Sequence, residues 1–238
     1  MRESNRIGTE KESALHEALK RNYAGADGVL EAVVGRYVCD AVRADGVIVE
    51  VQTGSFGPLR AKVEALAASG PVRIIHPIPA ERHIELRDAA GSLIRRRRSP
   101  KKGSPWDLFE SLVYAPLLPL VRGVTIELAM TEETERRVDD GRGSWRRKGI
   151  SISGRELLRI KETHVLGSPA DYRRFAPFGS EDTFGTAELA AAAGISAALA
   201  RKALYVLLRI GVVDEIEKKG NAKRYRLATI KYARGSKR

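Results

Sequence analysis

Residues 37–52 read YVCDAVRADGVIVEVQ, and they contain two β-branched runs separated by a short polar turn. The runs are Tyr37–Val42 and Val47–Gln52, and Arg43-Ala44-Asp45-Gly46 lies between them. A three-residue loop whose glycine, Gly46, adopts the left-handed region closes a common type of hairpin with a bulge. The stretch therefore predicts a β-hairpin in which residue 42 pairs with residue 48.

Two carboxylates are expected to face each other across this hairpin. The predicted register sets Asp40 opposite Glu50, and strand alternation puts Gln52 on the same face. The other residues of that face are apolar: Val38, Val42 and Ile48. Opposed carboxylates in apolar surroundings repel each other and lose hydration, so the arrangement needs a compensating cation. Mg²⁺, which prefers carboxylate oxygens, is the natural choice.

The segment before the hairpin, KESALHEALKRNYA, predicts an amphipathic helix that supplies a third acid. Leu15 and Leu19 define its buried stripe. At 100° per residue, Glu12 lies about 60° from Leu15 and Glu17 about 200° away. Glu12 is therefore the better candidate for the site, whereas Glu17 points to solvent.

After the hairpin the chain predicts a helix, GPLRAKVEALAASG, and a strand, VRIIHPI. A helix with an inward Glu, a strand with Asp, a strand with Glu-Val-Gln, a helix and a strand resemble the PD-(D/E)XK nuclease superfamily. The spacing D-x(9)-E-x-Q is similar to that of the archaeal Holliday-junction resolvases. The resemblance covers roughly residues 10–80 and implies a restriction-endonuclease-like fold with a mixed sheet.

By this resemblance Asp40 and Glu50 would bind Mg²⁺ or Mn²⁺, and Glu12 would assist through a water molecule. The metal would polarise the scissile phosphate and lower the pKa of the attacking water. Gln52 departs from the family, which most often has lysine there, although some restriction enzymes of this fold carry glutamine. Lys62, on the following helix, is a candidate to replace that lysine. An inactive nuclease fold retained for binding is the alternative.

The C-terminal region predicts two short helices and a hairpin. Thr186 is a suitable N-cap for a helix that ends at Gly194, and Ser196 caps a second helix, Ala197–Arg209. Two β-patterns follow, Val212–Ile216 and Lys223–Leu227, joined by the turn at residues 218–221. This arrangement resembles a winged helix-turn-helix over about 45 residues.

The winged-helix resemblance implies that the helix beginning at Ser196 enters the major groove of DNA. Its candidate contacts are Ser196, Arg201 and Lys202. The wing would bring four cations to phosphates or to the minor groove: Lys218, Lys219, Lys223 and Arg224. Because few of these side chains can read base edges in a bidentate manner, we expect phosphate-dominated binding with weak sequence preference. Winged helices also bind proteins, which remains an alternative.

Further positive charge is clustered in the middle of the chain. A predicted hairpin of His83–Asp88 and Leu93–Arg97 turns at residues 89–91, and a second basic segment contains Trp145. Such clusters are typical of loops that follow a phosphate backbone. The candidate backbone contacts are Arg95, Arg96, Arg97, Arg98, Lys101, Lys102, Arg146, Arg147 and Lys148.

Composition agrees with a DNA-binding protein. The 238 residues carry a formal net charge of +12, which attracts polyanions. Cys39 is the single cysteine, so an internal disulfide and a cysteine-based zinc site are excluded. No apolar run approaches the roughly 20 residues that span a bilayer, and the N-terminus lacks the apolar stretch of a signal peptide. A cytoplasmic protein without a membrane partner is expected.

Together these observations predict an α/β (α+β) protein of two domains. Residues 1–165 form the nuclease-like domain, and residues 166–238 form a linker and a winged helix. The predicted function is a Mg²⁺-dependent DNA endonuclease, a phosphodiesterase that the winged helix docks on DNA. The alternative is a non-catalytic DNA-binding protein or transcriptional regulator with a degenerate nuclease fold. Nucleases of this fold often act as symmetric dimers, and the sequence is compatible with a homodimer.

Overall fold

The computed structural model describes residues 13–220 and 222–229, and it contains five α-helices and eleven strands. The helices are α1 Ala14–Ala24, α2 Arg60–Ala67, α3 Leu108–Leu112, α4 Thr186–Ala193 and α5 Ala197–Arg209. The strands are β1 Val29–Leu30, β2 Val33–Val34, β3 Tyr37–Val38, β4 Ala41–Val42, β5 Ile48–Val51, β6 Val72–Asp88, β7 Leu93–Arg98, β8 Val124–Asp139, β9 Ile150–Leu166, β10 Val213–Lys219 and β11 Ala222–Leu227. The fold is α+β with a mixed sheet, as expected for the class.

The chain forms two compact units, and each is assembled from three segments. The first contains the chain up to Thr53 and the segments Arg73–Pro105 and Leu128–His164. The second contains Gly54–Val72, Trp106–Glu127 and the chain from Val165 onward. The C-terminal helices and hairpin thus share a unit with two earlier segments of the chain.

The main sheet has seven strands. Six follow the order β1-β4-β5-β6-β8-β9, and the seventh, β7, pairs with the C-terminal part of β6. Strands β1, β4 and β5 form an antiparallel meander. Helix α2 connects β5 to its neighbour β6, which is the kind of crossover that parallel pairing requires. Helix α1 packs on this sheet: Leu15 and Leu19 lie in one buried cluster with Val49, Val51 and Ile75.

The predicted hairpin register is confirmed. Val42 pairs with Ile48, and Ala41 pairs with Val49. Gly46 has a φ of +81°, and the N–H of Arg43 donates to the carbonyl of Val47 at 2.9 Å, which closes the loop.

One part of the hairpin prediction is wrong, because residues 37–42 do not form one strand. Tyr37–Val38 pairs with Val33–Val34 in a separate small hairpin, and only Ala41–Val42 continues the main sheet. Cys39 and Asp40 instead pair their backbone with residues 31 and 32, where Glu31 adopts a φ of +50°. This local turn interrupts the strand just before Ala41.

Strands β6 and β8 are much longer than the sequence indicated. The predicted strands Val72–Pro77 and His83–Asp88 are one continuous strand, which passes through Pro77 and Pro79. The acidic run Glu132–Glu135 lies inside β8, which extends over 16 residues. The acids of this run are accommodated because arginines on β6, β8 and β9 pair with them.

In the second unit, two helices and a hairpin follow an aromatic cluster in which Phe175 packs edge-on against Trp106 and Phe109. Gly194 has a φ of +64° and ends α4, and the Ser196 hydroxyl accepts the N–H of Leu199. The N-cap of α4 is Gly185, one residue before the predicted cap Thr186, which is the first residue of the helix; the Gly185 N–H donates to the Glu188 carboxylate. The turn between β10 and β11 contains Gly220, whereas Asn221 lies outside the described residues.

No single helix within the described ranges is both long and apolar enough to cross a membrane. The pair α4 and α5 reaches that length and composition only when taken together, and it is bent by 109° at its break.

Candidate active site and nucleic-acid interface

Asp40 lies immediately before β4, and its carboxylate is held in place by two hydrogen bonds. Its Oδ2 accepts the backbone N–H of Val51 at 2.7 Å. The same oxygen accepts a hydrogen bond from Nε2 of His16, on helix α1, at 3.1 Å. Asp40 therefore joins α1 to the end of β5 and has a fixed orientation.

Glu50 lies on β5 and is only 3% exposed. Its neighbours Val49 and Val51 both pack in the cluster with α1, so strand alternation directs Glu50 to the opposite face of the sheet. The prediction that the two carboxylates face each other is therefore wrong. Asp40 precedes β4, and its carboxylate turns back toward the Val51 backbone and His16 of α1, whereas Glu50 on β5 points away from α1. Of the other predicted catalytic residues, Glu12 lies outside the described residues. Lys62 is half-buried on α2 in the second unit.

Gln52 connects β5 to β6 through its backbone. Its N–H donates to the carbonyl of Ile75 at 2.8 Å, and its carbonyl accepts a hydrogen bond from Nδ1 of His76 at 2.6 Å. The His76 imidazole is therefore the tautomer that carries its proton on Nδ1. Burial lowers the pKa of His76, and the hydrogen bond to Gln52 opposes only part of this effect.

The buried His76 predicts a pH dependence of folding. Because its pKa is lower in the folded protein than in the unfolded chain, acidification first protonates the unfolded state. Stability is expected to be fully present above about pH 6.5 and to fall below it, with a slope of at most about 1.4 kcal/mol per pH unit. The fall ends once the pH is below the folded-state pKa. Urea titrations between neutral and mildly acidic pH measure this slope.

His76→Asn keeps a donor for the Gln52 carbonyl and removes the titrating group, so its profile should be flatter. His164→Asn is the control, and it should retain the wild-type slope because His76 is still present. Equal slopes in wild type and His76→Asn would contradict the assignment.

A second cluster was missed by sequence reasoning. Glu81 and His83 on β6 and Glu132 on β8 bring their ligand atoms within 4.8 Å of one another. His83 Nε2 lies 3.1 Å from Oε1 of Glu132 and 3.7 Å from Oε1 of Glu81. In the part of the chain that the structure describes, this is the one group of three His, Cys, Asp or Glu residues close enough together to hold a metal ion. It contains neither Asp40 nor Glu50.

Both carboxylates of this cluster already pair with cations. Arg98 Nε lies 2.9 Å and Lys161 Nζ 3.1 Å from the Glu81 carboxylate. Arg159 donates to Glu132 at 2.7 Å, and this hydrogen bond, with a smaller contribution from His83, lowers the pKa of Glu132. Three cations thus surround the two carboxylates, so the cluster is an ion-pair network on the sheet. The i, i+2 spacing of Glu81 and His83 was visible in the sequence, but their partner is 49 residues away from His83.

The other face of the same strands carries a buried acidic pair. Glu133 and Glu135 are each 1% exposed. Arg82 on β6 reaches both, at 3.9 Å from Glu133 Oε2 and 3.3 Å from Glu135 Oε2. Thr131 donates to Glu133 at 2.6 Å, and Arg137 lies 2.7 Å from Glu135. Arg82 is thus the cation shared by two buried carboxylates.

The predicted basic residues of the first unit are on its surface. All of β7, which includes Arg95–Arg98, is exposed, and Arg96 and Arg98 pair with Glu85 and Glu81. No described residue pairs with Arg95 or Arg97 through its side chain. The remaining candidates are also exposed, on the loop after β7 and on the turn between β8 and β9: Lys101, Lys102, Arg146, Arg147 and Lys148.

Several predicted DNA contacts of the second unit have partners within the protein. Lys202 pairs with Glu110, and Arg224 pairs with Glu188 and donates to the Thr183 carbonyl. Lys223 pairs with Glu215 at 2.7 Å, and this hydrogen bond raises the pKa of Lys223. Ser196 and Arg201 are exposed at the start of α5, as is Lys218 on β10, and Lys219 is the last residue of β10.

A groove runs between α4, α5 and β11. Arg201, Tyr205 and Leu208 line it from α5, and Lys223 and Arg224 line it from β11. Lys223 and Arg224 of the hairpin and the exposed face of α5 therefore lie on the same side of this small module.

A family model described as a domain of unknown function, DUF8091, matches residues 13–167. The chain belongs to this family. An uncharacterized protein of Treponema pallidum (strain Nichols) is 28% identical over 221 residues, which cover 92% of this chain and 87% of the relative. No solved structure matches. The DUF8091 match contains Asp40, Glu50 and the ion-pair network, whereas α4, α5 and the C-terminal hairpin follow it in the chain.

Proposed function

We propose that this DUF8091 protein is a metal-dependent DNA endonuclease that hydrolyses phosphodiester bonds. The observation that carries the proposal is the order of α1, the meander β1-β4-β5, the helix α2 and β6, in which Asp40 immediately precedes β4 and Glu50 lies on the adjacent strand β5. This order of elements resembles that of a restriction-endonuclease-like core, in which the two acids would hold the positions that bind metal.

The donor set fits a hard divalent cation. Mg²⁺ and Mn²⁺ take carboxylate oxygens, and Asp40 and Glu50 are the residues proposed to supply them. When bound, such an ion polarises a phosphate and activates a water molecule. The protein itself contributes position: β5 holds Glu50 in a buried position, and sharing one ion requires the Asp40 carboxylate to turn from the Val51 N–H and His16 toward Glu50.

The C-terminal helices and hairpin are proposed to dock the enzyme on DNA as a winged helix. The 109° bend between α4 and α5, the cap at Ser196 and the β10–β11 hairpin all support this assignment. So does the antiparallel bridge between Phe184 and Tyr225, because a winged helix has a short third strand at that position. The exposed face of α5 offers Arg201 and Tyr205 to DNA.

Cleavage of supercoiled plasmid by the purified protein tests the proposal. We expect nicking or linearisation with Mg²⁺ or Mn²⁺ and none with EDTA. Protein that shifts DNA in a gel but cleaves with neither metal would overturn the endonuclease assignment.

A non-catalytic DNA-binding protein or regulator is the second candidate, and Gln52 favours it. The PD-(D/E)XK superfamily most often has lysine at this position, and a glutamine side chain supplies no positive charge to stabilise the negative charge that develops in the transition state. The same plasmid assay separates the two candidates, since only the endonuclease changes the topology of its substrate.

DNA binding is expected to depend on Arg95 and Arg97, which have no partner among the described residues. Removing both by Arg95→Ala and Arg97→Ala should weaken binding to unrelated duplexes to the same extent, because phosphate contacts carry no sequence information. The slope of log affinity against log salt should fall by about 1 for each phosphate that the protein no longer neutralises. Fluorescence anisotropy at several salt concentrations measures this slope.

Arg60→Ala is the matched control, because Arg60 is an exposed arginine whose charge already pairs with Glu64. An unchanged salt slope in the Arg95 and Arg97 double variant would show that β7 does not contact the backbone.

A further inference from the structure

The turn between β8 and β9, residues 140–149, is built as a closed and rigid loop. The N–H of Gly143 donates to the carbonyl of Gly149 at 2.7 Å, and a Cβ at Gly143 would lie 1.8 Å from the carbonyl oxygen of Ile150. Gly149 and Lys148 both adopt positive φ values, +82° and +52°. Glycine is therefore required at position 143 by the close backbone approach and is favoured at 149 by its φ.

Asp140 fixes the base of this loop. Its Oδ1 accepts the N–H of Arg142 at 3.0 Å, and its Oδ2 accepts the hydroxyl of Ser151 at 2.9 Å. The hydrogen bond from Arg142 is the main cause of the lowered pKa of Asp140. Arg147 adds a hydrogen bond from its Nε to the Ile150 carbonyl at 3.2 Å. The loop thus has a defined backbone conformation before any ligand binds.

The loop displays Trp145, which is 83% exposed. Trp106, by contrast, packs against Phe109 and Phe175. The one ring contact of Trp145 among the described residues is the guanidinium of Arg146, 5.4 Å from the ring centroid. A large aromatic side chain held in water by a rigid loop offers its ring to a partner, because burial of that ring in a complex is favourable.

The surroundings of the ring are cationic. Arg142, Arg146, Arg147 and Lys148 are all exposed, and Asp140 is engaged in the hydrogen bonds of the loop. An aromatic ring between exposed arginines is the combination that binds a base by stacking and its phosphates by charge. The loop has no second large apolar side chain, whereas insertion into a membrane surface requires an apolar face.

From these features we infer that the loop 140–149 binds unpaired nucleotides, with a base stacked on Trp145 and phosphates beside Arg146 and Arg147. This inference rests on the proposed DNA-directed function and names its substrate class, which is DNA that carries unpaired bases. Within a duplex each base face is already covered by its neighbours, so a stacking side chain selects single strands, flaps or junctions.

Titration of the protein with a short oligodeoxythymidylate tests the inference, with a duplex of equal length as the second ligand. The single strand should quench Trp145 fluorescence, and Trp145→Phe should lose the quenching but keep most of the affinity. Trp145→Ala should weaken single-strand binding roughly 5- to 100-fold, which corresponds to one stacked base. Duplex binding should change less than twofold in the same variant.

The salt dependence separates stacking from charge. Trp145→Ala should leave the salt slope unchanged, whereas Arg146→Ala with Arg147→Ala should reduce it by about 1 for each phosphate that these arginines neutralise. Tyr114→Ala is the matched control, since Tyr114 is an exposed aromatic residue in the second unit. It should bind both ligands as the wild type does.

Each outcome has a distinct meaning. Equal single-strand affinity of Trp145→Ala and Tyr114→Ala, with duplex binding intact, overturns the inference and leaves the proposed function in place. Single-strand binding that depends on Trp145, without duplex binding, supports the inference and contradicts docking on duplex DNA. A blue shift of Trp145 emission with vesicles of anionic phosphatidylglycerol, but no response to oligonucleotides, overturns it in favour of a lipid surface.

Discussion

Asp40→Asn and Glu50→Gln are each expected to reduce metal-dependent plasmid cleavage at least about a hundredfold. A metal ligand stabilises the transition state by several kcal/mol, and about 1.4 kcal/mol corresponds to a tenfold change in rate. Both substitutions remove a negative charge and nearly preserve shape. Asparagine also keeps an oxygen that can accept the Val51 N–H, so the hairpin should stay intact. Initial cleavage rates at saturating Mg²⁺ measure the effect.

Asp45→Asn is the matched control for these variants, because Asp45 lies at the turn of the same hairpin and pairs with Arg43 at the surface. It should cleave at the wild-type rate. Calorimetric titration with Mn²⁺ provides a second measurement, in which Asp45→Asn binds the ion and the other two variants do not. Wild-type cleavage by Asp40→Asn and Glu50→Gln would place the active site elsewhere.

Arg82→Ala is expected to have the largest effect on stability, a loss of about 3–5 kcal/mol of unfolding free energy. Arg82 reaches the carboxylates of both Glu133 and Glu135, which are almost fully buried. Without it, Glu133 keeps the hydroxyl of Thr131 but has no cation among the described residues. An uncompensated charge of this kind is costly because water cannot reach it. Urea denaturation followed by circular dichroism measures the loss.

Arg98→Ala removes a more exposed arginine of the neighbouring strand, one that pairs with Glu81. It should cost no more than about 1 kcal/mol, as exposed ion pairs do. If Arg82→Ala were no less stable than Arg98→Ala, the role of Arg82 as the shared cation of the two buried carboxylates would be contradicted.

The parts of the fold that sequence reasoning predicted are those that local geometry determines. The turn at Gly46 and the β-branched runs on either side of it were sufficient to predict that Val42 pairs with Ile48. Gly194 and Ser196 were sufficient for the break between α4 and α5, because a glycine after a helix and a serine before one act within a few residues.

The parts that sequence reasoning did not predict depend on distant partners. The strands VRIIHPI and His83–Asp88 were predicted separately, but β6 runs through both without a break. Nothing near the acids of β8 in the chain indicates that Arg82, about 50 residues earlier, pairs with them. The direction of the Asp40 carboxylate was also missed, because it depends on a local turn that interrupts the strand.

The interleaved segments of the two units have a consequence for synthesis on the ribosome. The first unit is complete once His164 has emerged, but the second needs its last segment, which includes α5. Helix α3 packs against α5, and at a synthesis rate of about 5–20 residues per second it emerges on the order of ten seconds before α5. During that time the apolar side chains Leu108, Phe109 and Leu112 of α3, all buried in the finished protein, lack the contacts that α5 provides. We therefore expect the nascent chain to expose apolar surface of α3 until translation ends.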